Sequence, residues 1–419
     1  MSNTQKKNVP ELRFPGFEGE WEEKKLGDLT DRVIRKNKNL ESKKPLTISG
    51  QLGLIDQTEY FSKSVSSKNL ENYTLIKNGE FAYNKSYSNG YPLGAIKRLT
   101  RYDSGVLSSL YICFSIKSEM SKDFMEAYFD STHWYREVSG IVVECARNHG
   151  LLNVSVNDFF TILIKYPSLE EQQKIGKFFS KLDRQIELEE QKLELLQQQK
   201  KGYMQKIFSQ ELRFKNENGN DYPDWERIKF FDVIDKVIDF RGRTPKKLNM
   251  EWSDEGYLAL SAVNVKKGYI DFNVEAKYGN LDLYTRWMRG NELYKGQVLF
   301  TTEAPMGNVA QVPDNKGYIL SQRTIAFNSN EKITDNFLAS LLSSENVYND
   351  LLKLCSGATA KGVSQKNLNR LYVTIPHSIS EQEEIAEFFR KINQLVELQK
   401  YKIEHTKSQK QVFLQKMFI

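Results

Sequence analysis

Arg241, Arg243, Thr244, Lys246 and Lys247 form the densest basic stretch in the second half of this sequence. An arginine can donate two parallel hydrogen bonds to a guanine edge, and a lysine neutralises a phosphate. In the first half the cations are spread over Arg32, Arg35, Lys36, Lys38, Lys43 and Lys44. Lys85-Ser86-Tyr87-Ser88-Asn89-Gly90-Tyr91 follows a β-like run. Its hydroxyls and amide suit base edges or phosphates, and its tyrosines suit sugar or base faces. Thr301-Thr302-Glu303-Ala304-Pro305-Met306-Gly307 holds the matching place in the second half. Glu303 would repel phosphate but can accept from cytosine N4, Gln322 suits adenine, and Arg323 suits guanine. Each has a plainer alternative: a surface turn for 85–91, a salt bridge for Glu303, a buried loop for Gln322 and Arg323, and solvated charge for the basic cluster.

Bond-making chemistry finds less support. Gly357-Ala358-Thr359-Ala360-Lys361-Gly362-Val363-Ser364 resembles a phosphate loop, but Val363 stands where the lysine after the second glycine is needed. A glycine turn presenting Lys361 and Ser364 to a DNA phosphate is the better reading. Cys145 and His149 are four apart and supply only two metal ligands. No two prolines are adjacent, which excludes an Asn-Pro-Pro-Tyr methyltransferase motif, and no Gly-x-Gly-x-x-Gly occurs. We expect no catalytic and no metal-binding residues. Three dispersed cysteines, a polar N-terminus and no long apolar run predict a reduced, cytoplasmic protein with no membrane span. The net charge of +6 is too mild to prove a polyanion partner.

The elements that would position these residues are written twice. Glu11-Leu12-Arg13-Phe14 returns as Glu211-Leu212-Arg213-Phe214, each leading to a tryptophan, Trp21 or Trp225. Glu171-Gln172-Gln173-Lys174-Ile175 returns as Glu381-Gln382-Glu383-Glu384-Ile385, and Phe178-Phe179 as Phe388-Phe389. Tyr203 to Phe208 returns as Phe413 to Phe418 at the same spacing, so a long segment is duplicated without a gap. β-like runs at Thr74–Tyr83, Val106–Ile116, Glu292–Thr302 and Tyr318–Phe327 are each half's strand material. Ser121 and Thr334 are expected to cap an amphipathic helix in each half. Pro167 and Pro376 close the modules, because the residue before a proline is pushed out of helix.

Beyond each proline runs a 4-3 apolar pattern. Ile175, Phe179, Leu182, Ile186, Leu193 and Leu196 mark the first copy, and Ile385, Phe389, Ile392, Val396, Ile403 and Phe413 the second. That period specifies a coiled-coil seam, although two separate amphipathic helices remain the alternative. Glu189 with Gln399 and Lys200 with Lys410 interrupt the seams. They suggest an antiparallel register that sets Glu189 opposite Lys410, Lys200 opposite Gln399, Ile186 by Phe413 and Leu196 by Ile403. About forty helical residues would span ~60 Å. Such a pair would hold two modules apart and give one chain the symmetry of a dimer, matching the local twofold of duplex DNA.

The doubled order of proline, spacer, Glu-Gln-x-x-Ile, Phe-Phe and long helix is distinctive. Asn78-Gly79-Glu80-Phe81-Ala82-Tyr83-Asn84-Lys85 and Gly242-Arg243-Thr244-Pro245 stand around it. Together they make the whole chain resemble the specificity subunit of a type I restriction–modification enzyme. The resemblance implies an α+β (mixed α/β) fold. It has two similar target-recognition domains separated by two long antiparallel coiled-coil helices, a pseudo-twofold internal repeat. The expected boundaries are 1–168 for the first recognition domain, 169–209 for the central helix, 210–378 for the second recognition domain and 379–419 for the last helix.

The same resemblance implies double-stranded DNA with a bipartite site as ligand and two methyltransferase subunits as partners, joined by two restriction subunits where these exist. S-adenosylmethionine, Mg and ATP would then belong to the partner subunits, with no cofactor here. It favours DNA contact for Lys43, Lys44, Lys85, Ser86, Tyr87, Asn89, Arg147, Arg241, Arg243, Thr244, Lys246, Thr302, Glu303, Gln322, Arg323, Lys361 and Ser364. Cys145-Ala146-Arg147-Asn148-His149-Gly150 replaces the compact Ala360-Lys361-Gly362 in the first half, so that loop departs from the second. Two rivals stay open: a protein scaffold with two duplicated binding modules, and a self-contained nuclease or methyltransferase.

Overall fold

The computed structural model describes residues 8–50, 52–61, 69–87, 90–142, 152–274, 277–355 and 362–419. Two compact units emerge: residues 1–190 with 401–419, and residues 191–400. The long helices run Leu169–Phe208 and Ile379–Lys416, so each unit owns part of both.

Each unit is built on a four-stranded antiparallel sheet of one topology. In the first, the order is Thr30–Arg32, Tyr111–Ile116, Phe81–Asn84, Ala95–Arg98. In the second it is Ile234–Asp239, Thr324–Ser329, Val298–Thr301, Val309–Gln311. Alternation along the inner strands divides their side chains between two cores. Phe81 and Tyr83 enter one core while Ala82 enters another. Val298 and Phe300 likewise part from Leu299. The β-like run Thr74–Tyr83 proves to be two strands, Thr74–Lys77 and Phe81–Asn84, that belong to different sheets. Gly79, at φ +82°, makes the turn between them.

The amphipathic helices are capped as expected. Ser121 Oγ accepts from Phe124 N at 3.3 Å, and Thr334 Oγ1 from Phe337 N at 3.2 Å. The second unit adds a three-stranded sheet and a helix, Leu281–Met288, around fully buried Trp287.

The repeated motifs turn out to be joints. Gln172 accepts from Ser121 N at 3.0 Å and donates to Pro167 O at 2.9 Å, tying module to helix. Gln382 does the same with Thr334 N at 2.9 Å and Pro376 O at 3.0 Å. Glu171, 1% exposed, takes both arms of Arg13 at 2.8 and 2.7 Å. Glu381, fully buried, takes Arg213 at 3.0 Å and Trp225 Nε1 at 3.0 Å. Phe14 meets Phe178 edge-on at 5.7 Å, and Phe214 meets Phe388 at 5.7 Å. The Arg and Phe of each leader therefore grip the Glu and the first Phe of the duplicated helix motif, while Glu11 and Leu12 of the first leader reach Lys416 of the last helix.

Within each unit the long helices run antiparallel. Phe178 packs on Phe413 at 5.2 Å and Phe179 on Phe418 at 5.7 Å in the first. The repeated pairs, Tyr203 with Phe388 at 5.2 Å and Phe208 with Phe389 at 6.1 Å, occur in the second. Ile175, Phe179, Ile186, Ile385, Phe389, Val396 and Ile403 are buried, while Leu182, Leu193, Leu196, Ile392 and Phe413 are half-buried.

The expected register is corrected. Glu189 pairs with Lys402, whereas Lys410 binds Asp183 at 2.6 Å and Asp130 at 2.9 Å. The aromatic pairs set the layers. Lys410 then reaches a carboxylate of the recognition module, a partner that helix periodicity alone does not contain. The seam also drifts at its end: Leu414 is buried where the 4-3 spacing placed Phe413, and in the first copy Met204 is buried while Tyr203, the repeat of Phe413, is exposed. An untwisted helix of 3.6 residues per turn produces that drift.

Candidate nucleic-acid interface

In the second unit three distant stretches converge on one cavity of about 740 Å³. Arg243, Thr244 and Lys246 form one wall, Gln322 and Arg323 another, and Ala304 closes the rim. Trp252 and Trp287, whose rings lie 5.7 Å apart, belong to its lining.

The basic stretch follows the strand Ile234–Asp239, and its geometry is fixed from below. Arg241 donates to Asp239 through Nε at 2.8 Å and Nη2 at 2.6 Å, and Gln365 Nε2 adds a bond at 2.8 Å. Burial alone would raise the Asp239 carboxyl, but these donors outweigh it and hold it below its ordinary value. Arg243 stacks over Phe240 at 4.3 Å and donates to Trp287 O, so its side chain is half-spent on the fold. Lys246 is exposed on the 3-10 turn Pro245–Leu248, and Asn249 ends that turn at φ +56°.

The loop after Val298–Thr301 is the other wall. Thr302 is buried and its hydroxyl donates to Arg323 O at 3.3 Å, so it supports the loop from within. Val363 N reaches Thr302 O at 2.9 Å, and Glu303 bridges Gly362. Arg323 sits at φ +64° and Ala304 at φ +48°, conformations that cost a side-chain-bearing residue energy. Those bends project Glu303 and Arg323 together, with Arg323 Nε 3.1 Å from Glu303 Oε1 and both about half exposed. The pair presents a donor fork beside an acceptor, the two groups a G·C edge requires. Gln322 is exposed and donates to Arg243 O at 3.2 Å. Ser364 caps the helix Gln365–Leu368 through Asn367 N at 3.2 Å.

In the first unit the loop after Phe81–Asn84 carries Lys85 and Ser86, half-buried, and Tyr87, 61% exposed. Lys43 and Lys44 are exposed, and Lys44 lies 4.9 Å over the Tyr102 ring. Arg35 is tied to Glu80 at 2.7 Å. Asn89, Arg147 and Lys361, with Cys145 and His149, lie outside the described residues. Sequence reading missed Trp252, Trp287 and Lys277 in the cavity lining, because their approach to Arg243 depends on tertiary folding. Among the described residues no cluster of three or more His, Cys, Asp or Glu could hold a metal ion. No helix among them is long and apolar enough to cross a membrane.

Comparison with known proteins adds the context. The type I restriction modification DNA specificity domain matches twice, over residues 18–198 and 222–406. The type I restriction enzyme MjaVIII specificity subunit of Methanocaldococcus jannaschii is 26% identical over 416 residues, covering 94% of this chain and 90% of that one. The S subunit of a type I restriction-modification system from M. genitalium shares the fold. It has TM-score 0.59 at 14% identity, over 98% of this chain and 99% of the other. A chain from a structure of type I R-M complex assembly aligns with TM-score 0.51 at 17% identity, over 98% and 99%. The chain therefore belongs to the family of type I restriction–modification specificity subunits, with two duplicated recognition domains.

Proposed function

We propose that each recognition domain reads one half of a bipartite site in double-stranded DNA, and that the chain directs two methyltransferase subunits to it. Restriction subunits join where the system has them. The chain makes and breaks no bonds itself; S-adenosylmethionine, Mg and ATP act on the partner subunits, in the cytoplasm. Residues 1–168 and 210–378 are the reading modules, and 169–209 and 379–419 the helices that space them and dock the methyltransferases.

The observation that carries this reading is the convergence of Arg243, Thr244, Lys246, Gln322 and Arg323 on one cavity, with Arg323 paired to Glu303. Lys246, Lys43, Lys44, Lys85 and Lys361 hold phosphates, which give affinity without sequence information. Arg323, Glu303, Gln322 and Ser86 read base edges and Tyr87 packs on sugar; Asn89 and Arg147 join the base readers on side-chain chemistry alone. Arg241, Arg243, Thr244, Thr302 and Ser364 touch DNA only through backbone or position the readers. Competition binding tests this: the chain with its methyltransferase is titrated with one specific duplex against random duplexes at rising salt. Retained selectivity with affinity falling steeply in salt supports it. Binding only to protein partners, with no duplex preferred at any salt, overturns it in favour of a scaffold.

A further inference from the structure

Lys200 and Lys410 occupy the same place in the duplicated helix, yet their surroundings differ. In the first unit Lys410 binds Asp183 at 2.6 Å and Asp130 at 2.9 Å. Asp130 also binds Lys97 at 2.6 Å, and Arg98 pairs with Asp123 and Glu126. Burial alone would lower Lys410, but the two carboxylates outweigh it and hold it above its ordinary value.

The second unit removes every one of these partners. The helix repeat puts Asn393 where Asp183 stood. Counting from the caps Ser121 and Thr334 puts Asn336, Ala339 and Ser343 in place of Asp123, Glu126 and Asp130. Matching Phe81↔Arg98 to Val298↔Gln311 puts Ala310 and Gln311 in place of Lys97 and Arg98. Only the lysine is retained. Among the described residues the Lys200 ammonium has no hydrogen bond and no ion pair. Burial, and then the charge of Lys400, pull it below its ordinary value against the weaker pull of Glu397.

A cavity of about 350 Å³ has taken the place of the missing carboxylates. Lys200, Lys201, Lys267, Lys400, Ser343 and Asn393 line it together with two carboxylates, Glu345 and Glu397. Lys201 is matched by Glu345 at 2.8 Å and Lys400 by Glu397 at 2.8 Å. Among the described residues Lys267 has only the ring of Tyr348, 6.0 Å away. Two ammonium groups thus remain unmatched around one recess. The amides of Gln197 and Asn393 on its wall supply uncharged donors. Lys200 is half-buried and Lys267 exposed, so the cost of the unmatched charge falls mainly on Lys200, and a ligand that supplies a counter-charge recovers it.

We propose that this cavity binds a phosphate dianion, either inorganic phosphate or the phosphate of a mononucleotide. The two unmatched lysines balance its charge and the amides bond its remaining oxygens. The volume lies within the range of small-molecule sites, so an attached nucleoside is admissible. This site is independent of the DNA-reading surface, and its test contains no DNA.

Titration calorimetry of the full chain, in chloride buffer at constant ionic strength, uses three probes: inorganic phosphate, AMP and adenosine. One-to-one binding of phosphate or AMP is expected, with none of adenosine. Equal affinity for phosphate and AMP identifies free phosphate as the ligand; AMP bound at least tenfold tighter identifies a nucleotide. Lys200→Met should weaken binding at least tenfold. Asn393→Asp, which restores the carboxylate of the first unit, should do the same while raising the melting temperature. No saturable heat with phosphate or AMP overturns the proposal, as does affinity unchanged in both variants or adenosine binding as tightly as AMP.

Discussion

Glu381→Gln is the sharpest perturbation of the joint between module and helix. Glu381 is fully buried and accepts from Arg213 Nε at 3.3 Å, Arg213 Nη2 at 3.0 and 3.1 Å and Trp225 Nε1 at 3.0 Å. Removing one partner of a buried ion pair costs about 3–5 kcal/mol, because the other charge is left uncompensated. Two features reduce that figure here. Arg213 keeps 21% of its side-chain surface in water. The glutamine also retains one oxygen, enough for Trp225. An expected loss of about 2–3 kcal/mol follows. For a unit of this size each kcal/mol lowers the melting temperature by roughly 2–4 °C, so calorimetry of the full chain should register a fall of about 4–12 °C. Hydrogen exchange in the strand Glu226–Lys229 should accelerate, since Trp225 precedes it directly. A loss under about 0.5 kcal/mol, with protection of that strand unchanged, would refute the claim that the repeated glutamate locks leader to helix.

Other perturbations test other parts of the structure. Glu126 is pushed up to about 7, mainly by burial against the opposing pull of Arg98. An unfolded glutamate titrates near ~4.3, so between the two values the unfolded chain releases its proton first and stability falls as pH rises. Glu126→Gln should therefore raise the melting temperature at pH 8 and leave it unchanged at pH 4; a gain at both would contradict this. Gly176→Ala should destabilise by roughly 1–3 kcal/mol despite better helix propensity, because its Cβ would lie 2.6 Å from Phe124 N; urea unfolding reads this, and a stabilised variant would be the wrong outcome. Arg323→Ala should relax discrimination at a single G·C position by about 1–3 kcal/mol in selection from randomised duplexes. A uniform loss over all positions would instead assign Arg323 to phosphate.

Much of the architecture could be read from residue order. The helices at Leu169–Phe208 and Ile379–Lys416 follow from a sustained 4-3 apolar period in proline-free segments, and the caps at Ser121 and Thr334 from local chemistry. The purpose of the duplicated Glu-Leu-Arg-Phe and Glu-Gln motifs was not legible. Arg13 and Glu171 are 158 residues apart, and nothing local says that they meet. The helix register failed for the same reason, since Lys410 answers to Asp130 of the module as well as to the facing helix. On the candidate interface, sequence chemistry picked out Lys246, Gln322 and Arg323, which the fold leaves exposed beside one cavity. It could not foresee that Arg243 would be stacked on Phe240 or that Thr302 would be buried. Side-chain type says what a residue can bind; only packing decides which groups remain free to do so.

The most direct test of the account is a module exchange read by methylome sequencing. Residues 1–168 are replaced by the corresponding module of another family member, and the chimera is expressed with the cognate methyltransferase. Phe418, packed on Phe179 at 5.7 Å, lies outside the exchange, and the incoming module is chosen to carry a tryptophan in the place of Trp21, which packs on Phe418 at 6.3 Å. The methylated motif should change in one half and keep its other half. A motif altered in both halves, or unchanged, would contradict reading by two independent modules.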